Sequence, residues 1–231
     1  PALLAAAARI PCPWDETTSR DAAVRSDVSC LQYLHENGCP WGVMVYPTAA
    51  ENGHLHIMQY AHQQGLTEWD VAVCTLAAHR GHLTCLQFAH EHGCPWDDQT
   101  TSVAVYVQNV TALRFAMERD CPYKRLVMTH AVQGGSIECL QYLVEELVLC
   151  FDDHVLVTAV LKGSLPCVQY LIDQGCPFNA IRHADVGEFD HVFVRDNPEF
   201  TQCVQYAVER GWEADAIFCK YVSSRDAACV A

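Results

Sequence analysis

The chain has 231 residues, 51% of them hydrophobic, and a formal net charge of −14 from 14 Lys and Arg against 28 Asp and Glu. So few cations exclude a nucleic-acid binder, which must displace phosphate counterions, and favour a partner with a basic surface. No apolar run reaches the ~18 residues that a membrane span requires.

Pro1–Pro13 reads as the end of a preceding helix pair: Leu3 to Ala8 as a second helix, then Pro11-Cys12-Pro13 as a loop. It lacks the basic flank of a secretory signal. Residues 14–40 follow as helix, turn, helix and loop. The first helix carries Ser19, Ala22 and Ala23, the second Val28, Cys30, Leu31 and Leu34, and Gly38-Cys39-Pro40 closes the pair. Residues 41–67 repeat the pattern with Ala49-Ala50, Gly53-His54-Leu55 and Gly65, and residues 68–95 show it most clearly. There Leu83, Cys85, Leu86, Phe88 and Ala89 fall on one helical face. Gly93 suits a left-handed C′ position, and Pro95 cannot continue the helix. Residues 96–122 end in Asp120-Cys121-Pro122, whereas 123–149 carry Leu147-Val148-Leu149 in place of that ending. Residues 150–177 restore it with Gly175-Cys176-Pro177. The seventh stretch, 178–211, holds eight or nine extra residues between Arg182 and Pro198, and 212–231 supplies a first helix without a second.

Cys30, Ile57, Cys85, Ala112, Cys139 and Cys167 are therefore equivalent, at steps of 27 or 28 residues, with Cys203 following at 36. A fixed period of this size predicts an all-α solenoid in which neighbours bury one another's apolar stripes. Tyr33, Tyr60, Phe88, Phe115, Tyr142, Tyr170 and Tyr206 fill one register between pairs, and Trp14, Trp41, Trp69 and Trp96 cover the seams ahead of the first helices. Bare apolar ends, Pro1–Ala8 and Ala214–Ala231, predict that the array continues or is covered by a partner.

Gly81-His82-Leu83 with Leu86 and Gly93, preceded by Ala77-Ala78, resembles the inner part of the ankyrin repeat. Cys94-Pro95-Trp96-Asp97 and Cys39-Pro40-Trp41 are similar to the joints of shortened ankyrin units found in protists and giant viruses. The resemblance extends from Trp14 to Gly211. It implies a helix-pair solenoid that binds other proteins without catalysis, as a recognition scaffold or as a subunit of a larger assembly. The short period and the missing Thr-Pro-Leu-His start imply that the family's β-hairpin fingers are short or absent.

Twelve histidines and fourteen cysteines raise a metal-binding or enzymatic module as the alternative. His54 with His56, and His90 with His92, are two apart and point to different sides of a helix. No Cys-x-x-Cys occurs, Gly134-Gly135 stands where a turn belongs, and no nucleophile has a periodic base beside it. The reading is no enzyme, no metal and no cofactor. His35, His62 and His90 sit near the ends of second helices, where a cationic ring suits the helix dipole. Equivalent cysteines on stacked helices lie ~8–10 Å apart, beyond the ~7 Å reach of a disulfide. All fourteen are expected as free thiols in an intracellular, reducing compartment: the cytoplasm, or an organelle reached by a removed transit peptide.

Two features address binding. Apolar residues crowd the later first helices (Val103, Val105, Val107, Val110; Val155, Leu156, Val157, Val160), which implies either deeper packing or an apolar docking surface. The residues just after the double-alanine place read Val24, Glu51, His79, Tyr106, Gln133 and Leu161, followed by Arg25, Asn52, Arg80, Val107, Gly134 and Lys162. In an ankyrin-like stack these face the concave side. His79, Arg80, Tyr106, Val107, Gln133, Leu161 and Lys162 are the candidate partner-binding residues, with Phe189, Asp190 and Phe193 of the inserted stretch as a second candidate.

Overall fold

The computed structural model describes residues 14–151, 154–177 and 198–211, and no strand occurs among them. Phe189, Asp190 and Phe193 lie outside the described residues. The chain divides into two compact bodies, Pro1–Lys124 and Arg125–Ala231. In the first, α1 (Glu16–Val24), α3 (Val45–Glu51), α5 (Ala72–Arg80) and α7 (Asp98–Tyr106) alternate with α2 (Val28–Glu36), α4 (Leu55–Gln63), α6 (Leu83–Glu91) and α8 (Val110–Met117). In the second, α9 (Val127–Gly134) and α11 (Val155–Lys162) alternate with α10 (Ile137–Gln141) and α12 (Leu165–Asp173), and α13 (Pro198–Glu209) packs on α11 and α12.

Within the first body α1, α3, α5 and α7 stack as one layer and the second helices as another. The double alanines explain the spacing. Ala22-Ala23, Ala49-Ala50 and Ala77-Ala78 are buried, and with so little side chain between them the first helices approach closely. The second helices meet through Leu31, Leu34, Ile57, Met58, Leu86 and Leu113, all buried, and stand further apart. The apolar enrichment of the later first helices goes in part into the core of each body, with Val103, Val107 and Val110 left half-buried. Every residue from Val155 to Val160 is buried, as are Ala104 and Val105.

Each pair turns twice through left-handed backbone. Gly53, Gly81, Gly135 and Gly163 do so between the helices of a pair, and Gly38, Gly65, Gly93 and Gly175 after the second helix. Ser26, Gln108, Asp120 and Val148 take the same conformation without being glycine. Val148 is the costly one, because a β-branched residue is strained at φ 51°. Lacking the Gly-Cys-Pro ending, α10 runs on into a π-helical turn, Tyr142–Glu146, before the chain reverses. Val148 is 78% exposed, so its side chain contributes little packing. Val148→Gly should therefore raise stability by ~0.5–1 kcal/mol: relief of a ~1–2 kcal/mol left-handed cost, offset by the freer unfolded chain. Urea titration of both proteins checks it, and a lower midpoint for the variant would count against it.

The joint cysteines have a bonding role that their composition does not reveal. The thiols of Cys39, Cys94 and Cys121 donate to the carbonyls of Asp15, Asp70 and Asp97 at 3.6, 3.4 and 3.4 Å, each 24 residues back in the same pair. Each thiol thereby ties the closing loop to the start of its own first helix. Asp15 and Asp97 also cap α1 and α7 through their side chains. Cys85, Cys139, Cys167 and Cys203 match the expectation of small buried fillers, with burial raising each thiol's pKa, to about 11 for Cys85 and Cys203. Cys30 does not. It is half-buried, and its thiol donates at 2.8 Å to Asp27, the cap of α2.

Candidate functional site

The predicted docking register falls on the last turns of the first helices, where a side chain projects beyond the buried alanines of its own helix. In the first body Val24 is 47% exposed, Tyr106 is 60% exposed, and His79 and Arg80 are exposed between them. Val107 is half-buried at the end of α7. Arg80 reaches across to Glu51 on the neighbouring helix in a 2.7 Å ion pair. Both partners are solvent-accessible, so the pair contributes no more than ~1 kcal/mol and serves mainly to fix two side chains on one surface. Arg80 also lies at the C-terminus of α5, where a cation is favoured. In the second body Gln133 and Leu161 are half-buried, and Lys162 is exposed at the end of α11. The structure thus brings Glu51, His79, Arg80 and Tyr106 onto adjacent helices of one body, and it places Gln133, Leu161 and Lys162 on α9 and α11 of the other. The Glu51–Arg80 pair escaped the sequence reading, although opposite charges one period apart in adjacent registers are its signal.

The opposite layer carries an aromatic ladder. Trp14, Trp41, Trp69 and Trp96 pack against Tyr33, Tyr60, Phe88 and Phe115 of their own pairs, with centroids 6.1, 6.4, 6.3 and 6.0 Å apart. The histidine register of the preceding pair completes each step: His35 lies 4.7 Å from Trp41, His62 6.1 Å from Trp69, and His90 stacks on Trp96 at 3.9 Å. The tryptophans thus span the seams as expected, and the histidine rings pack against them. Burial, then the nearby Arg119, holds the His90 pKa below its usual 6.5. At His90 this favours the neutral ring, in place of the dipole-stabilising cation expected there. The signal was present in the sequence: where tryptophan gives way to Tyr123 and Cys150, the histidine six residues earlier gives way to Met117 and Val144. His54 serves differently, hydrogen-bonding the Ala23 carbonyl 31 residues back at 2.8 Å, and Asn109 makes the same link to Ala78 at 3.2 Å. Histidines and cysteines are thus distributed along the stack by period. Among the described residues no group of three or more His, Cys, Asp or Glu is placed to hold a metal ion, and no helix is long and apolar enough to cross a membrane.

No family model matches the sequence, and no curated protein matches it. The fold does have counterparts among solved structures. The crystal structure of the human ASB11 ankyrin repeat domain superposes with a TM-score of 0.61 at 16% identity, over 72% of this chain and 87% of that one. Together with the all-helical pairs, this places the chain in the ankyrin-repeat fold, a helical-repeat architecture.

Proposed function

We propose that the chain is a non-catalytic protein-interaction module of the short-unit ankyrin type, with pairs bounded at 14–40, 41–67, 68–95, 96–122, 123–149, 150–177 and 178–211. The partner docks on the last turns of the first helices, through His79, Arg80, Tyr106 and Val107 in the first body and Gln133, Leu161 and Lys162 in the second. The observation that carries this reading is Tyr106: a large aromatic, 60% exposed, on a helix whose neighbouring Ala104 and Val105 are fully buried. Exposed aromatics surrounded by fixed polar groups are the usual anchors of protein interfaces. The tighter stacking of the first helices supports their layer as the inner, concave one. The net charge of −14 favours a basic partner surface, in a reducing intracellular compartment, with the chain acting as a scaffold or as one subunit of a larger assembly. Phe189, Asp190 and Phe193 form a second candidate contact.

Capture from the native source on immobilised full-length chain tests the face. Tyr106→Ala should weaken retention of the specific partner by about 30-fold or more, the equivalent of a ~2 kcal/mol hot spot, while shifting stability by less than ~1 kcal/mol. His79→Ala should weaken it less. Unaltered capture by the Tyr106→Ala, Arg80→Ala double variant would place the interface elsewhere.

A further inference from the structure

The starts of the first helices form an edge of their own within the first body. Gly42, just ahead of α3, lies against the first turn of α1, where a methyl group would meet the Glu16 carbonyl. Tyr46 in α3 stacks on Trp69, ahead of α5, at 3.9 Å. Thr75 in α5 meets Thr100 in α7 through their hydroxyls at 3.3 Å. Contacts at successive seams thus hold the starts of α1, α3, α5 and α7 side by side.

Two kinds of side chain stand on this edge. Val43, Met44 and Val71 are 66, 47 and 38% exposed, large apolar groups that the fold leaves in solvent. Carboxylates flank them: Glu16 on the side of α1, and Glu68 and Asp70 beside Val71, all exposed. One oxygen of Asp70 caps α5 through the Ala72 N–H at 2.7 Å. Glu16 and Glu68 have no cationic partner among the described residues. The opposite ends of the same helices carry Arg25, His79 and Arg80, with Glu51 paired to Arg80. The layer is therefore polarised, anionic at its starts and cationic at its ends. The edge already takes one cation of the chain itself, since the Lys124 ammonium reaches Asp98 in the first turn of α7 at 3.3 Å.

We propose that this edge is a second docking surface, which takes an amphipathic helix bearing lysine or arginine from a partner protein. Neighbouring helices of a stack lie ~8–10 Å apart, and seven residues of α-helix rise ~10.5 Å. Apolar residues seven apart on the incoming helix therefore reach Val43 and Met44 at one end and Val71 at the other. Cations beside those anchors meet Glu16, Glu68 and Asp70 without displacing any contact that holds the fold. The apolar contact supplies affinity, and the carboxylates set orientation and choice of partner. The surface is separate from the helix ends that carry Tyr106, so each can fail without the other.

The probe is a fluorescein-labelled helical peptide of alanine, leucine and lysine, with leucines seven apart on one face and lysines beside them. It is titrated with the full-length chain and read by anisotropy. It should bind, and the same peptide with glutamate for lysine, or with alanine for leucine, should bind about tenfold more weakly or worse. Val43→Ser with Met44→Ser should weaken binding by about tenfold or more. Glu16→Gln with Glu68→Gln should weaken it and flatten its salt dependence. Tyr106→Ala should leave it unchanged. All five side chains are exposed, and a native circular dichroism spectrum qualifies each variant. No binding of the leucine–lysine peptide would overturn the proposal, as would equal binding to both double variants. Weakening by Tyr106→Ala in their place would assign the peptide to the helix ends and overturn it too. So would dimerisation in sedimentation that the Val43→Ser, Met44→Ser variant abolishes, which would assign the edge to a second copy of the chain.

Discussion

Tyr46→Ala should be among the most damaging single substitutions in the first body, costing ~3–5 kcal/mol as full truncations of buried aromatics do. Tyr46 is 1% exposed, and its ring stacks on Trp69 at 3.9 Å and an interplanar angle of 15°. Its hydroxyl donates to the Leu66 carbonyl. Burial raises the phenol pKa above its usual 10, so the group remains a donor throughout the working pH range. The residue therefore performs three tasks at once: it fills the space between α3 and α5, seats the next tryptophan, and closes a loop that has Leu66 where four other pairs have Cys39, Cys94, Cys121 and Cys176. Tyr46→Phe separates them. It keeps the stack and loses one hydrogen bond, for a cost of ~1 kcal/mol. Urea denaturation with hydrogen exchange on the α3 and α5 amides reads both variants, and equal losses would mean that the hydroxyl, not the ring, carries the effect.

Gly42→Ala should cost ~1–3 kcal/mol, in the range of overpacked sites. Gly42 is buried, and a methyl group there would lie 3.2 Å from the Glu16 carbonyl carbon and Cβ and closer still to the carbonyl oxygen. The opposing atoms include the backbone of the first turn of α1, so no rotamer change relieves the clash. The Gly42 N–H also donates to Ser19, whose hydroxyl donates to the same Glu16 carbonyl at 3.0 Å, so a shift would disturb both bonds. Val43→Ala, one residue on and 66% exposed, is the control and should stay within ~0.5 kcal/mol. A Gly42→Ala protein that melts with the control would show that α1 yields at no cost.

The sequence disclosed what repetition amplifies. A residue type that returns every 27 or 28 positions meets the same surroundings each time, so the helix pairs, the buried alanines and the glycine turns could be read by superposing the chain on itself. Contacts between different registers were harder to read. That His90 lies on Trp96 depends on how a helix meets the loop beside it, and no single register carries that information. The candidate docking face was legible as a register and as a helix end. The Glu51–Arg80 bond across it was not, because its two members differ in type. Val43, Met44 and Val71 stand exposed at the starts of α3 and α5, and no register singled them out.

The closing cysteines have one more consequence. Cys39, Cys94 and Cys121 each tie their loop to an aspartate carbonyl inside the same pair, so the bond travels with the segment that makes it. A stretch of 27 or 28 residues copied or removed whole takes donor and acceptor together and leaves neither without its mate. Links such as His54 to Ala23 behave differently, since they must find a carbonyl in whatever neighbour the rearrangement supplies. Because that acceptor is main chain, any helix pair offers it. A gene carrying this pattern can lengthen or shorten by whole periods without breaking these bonds.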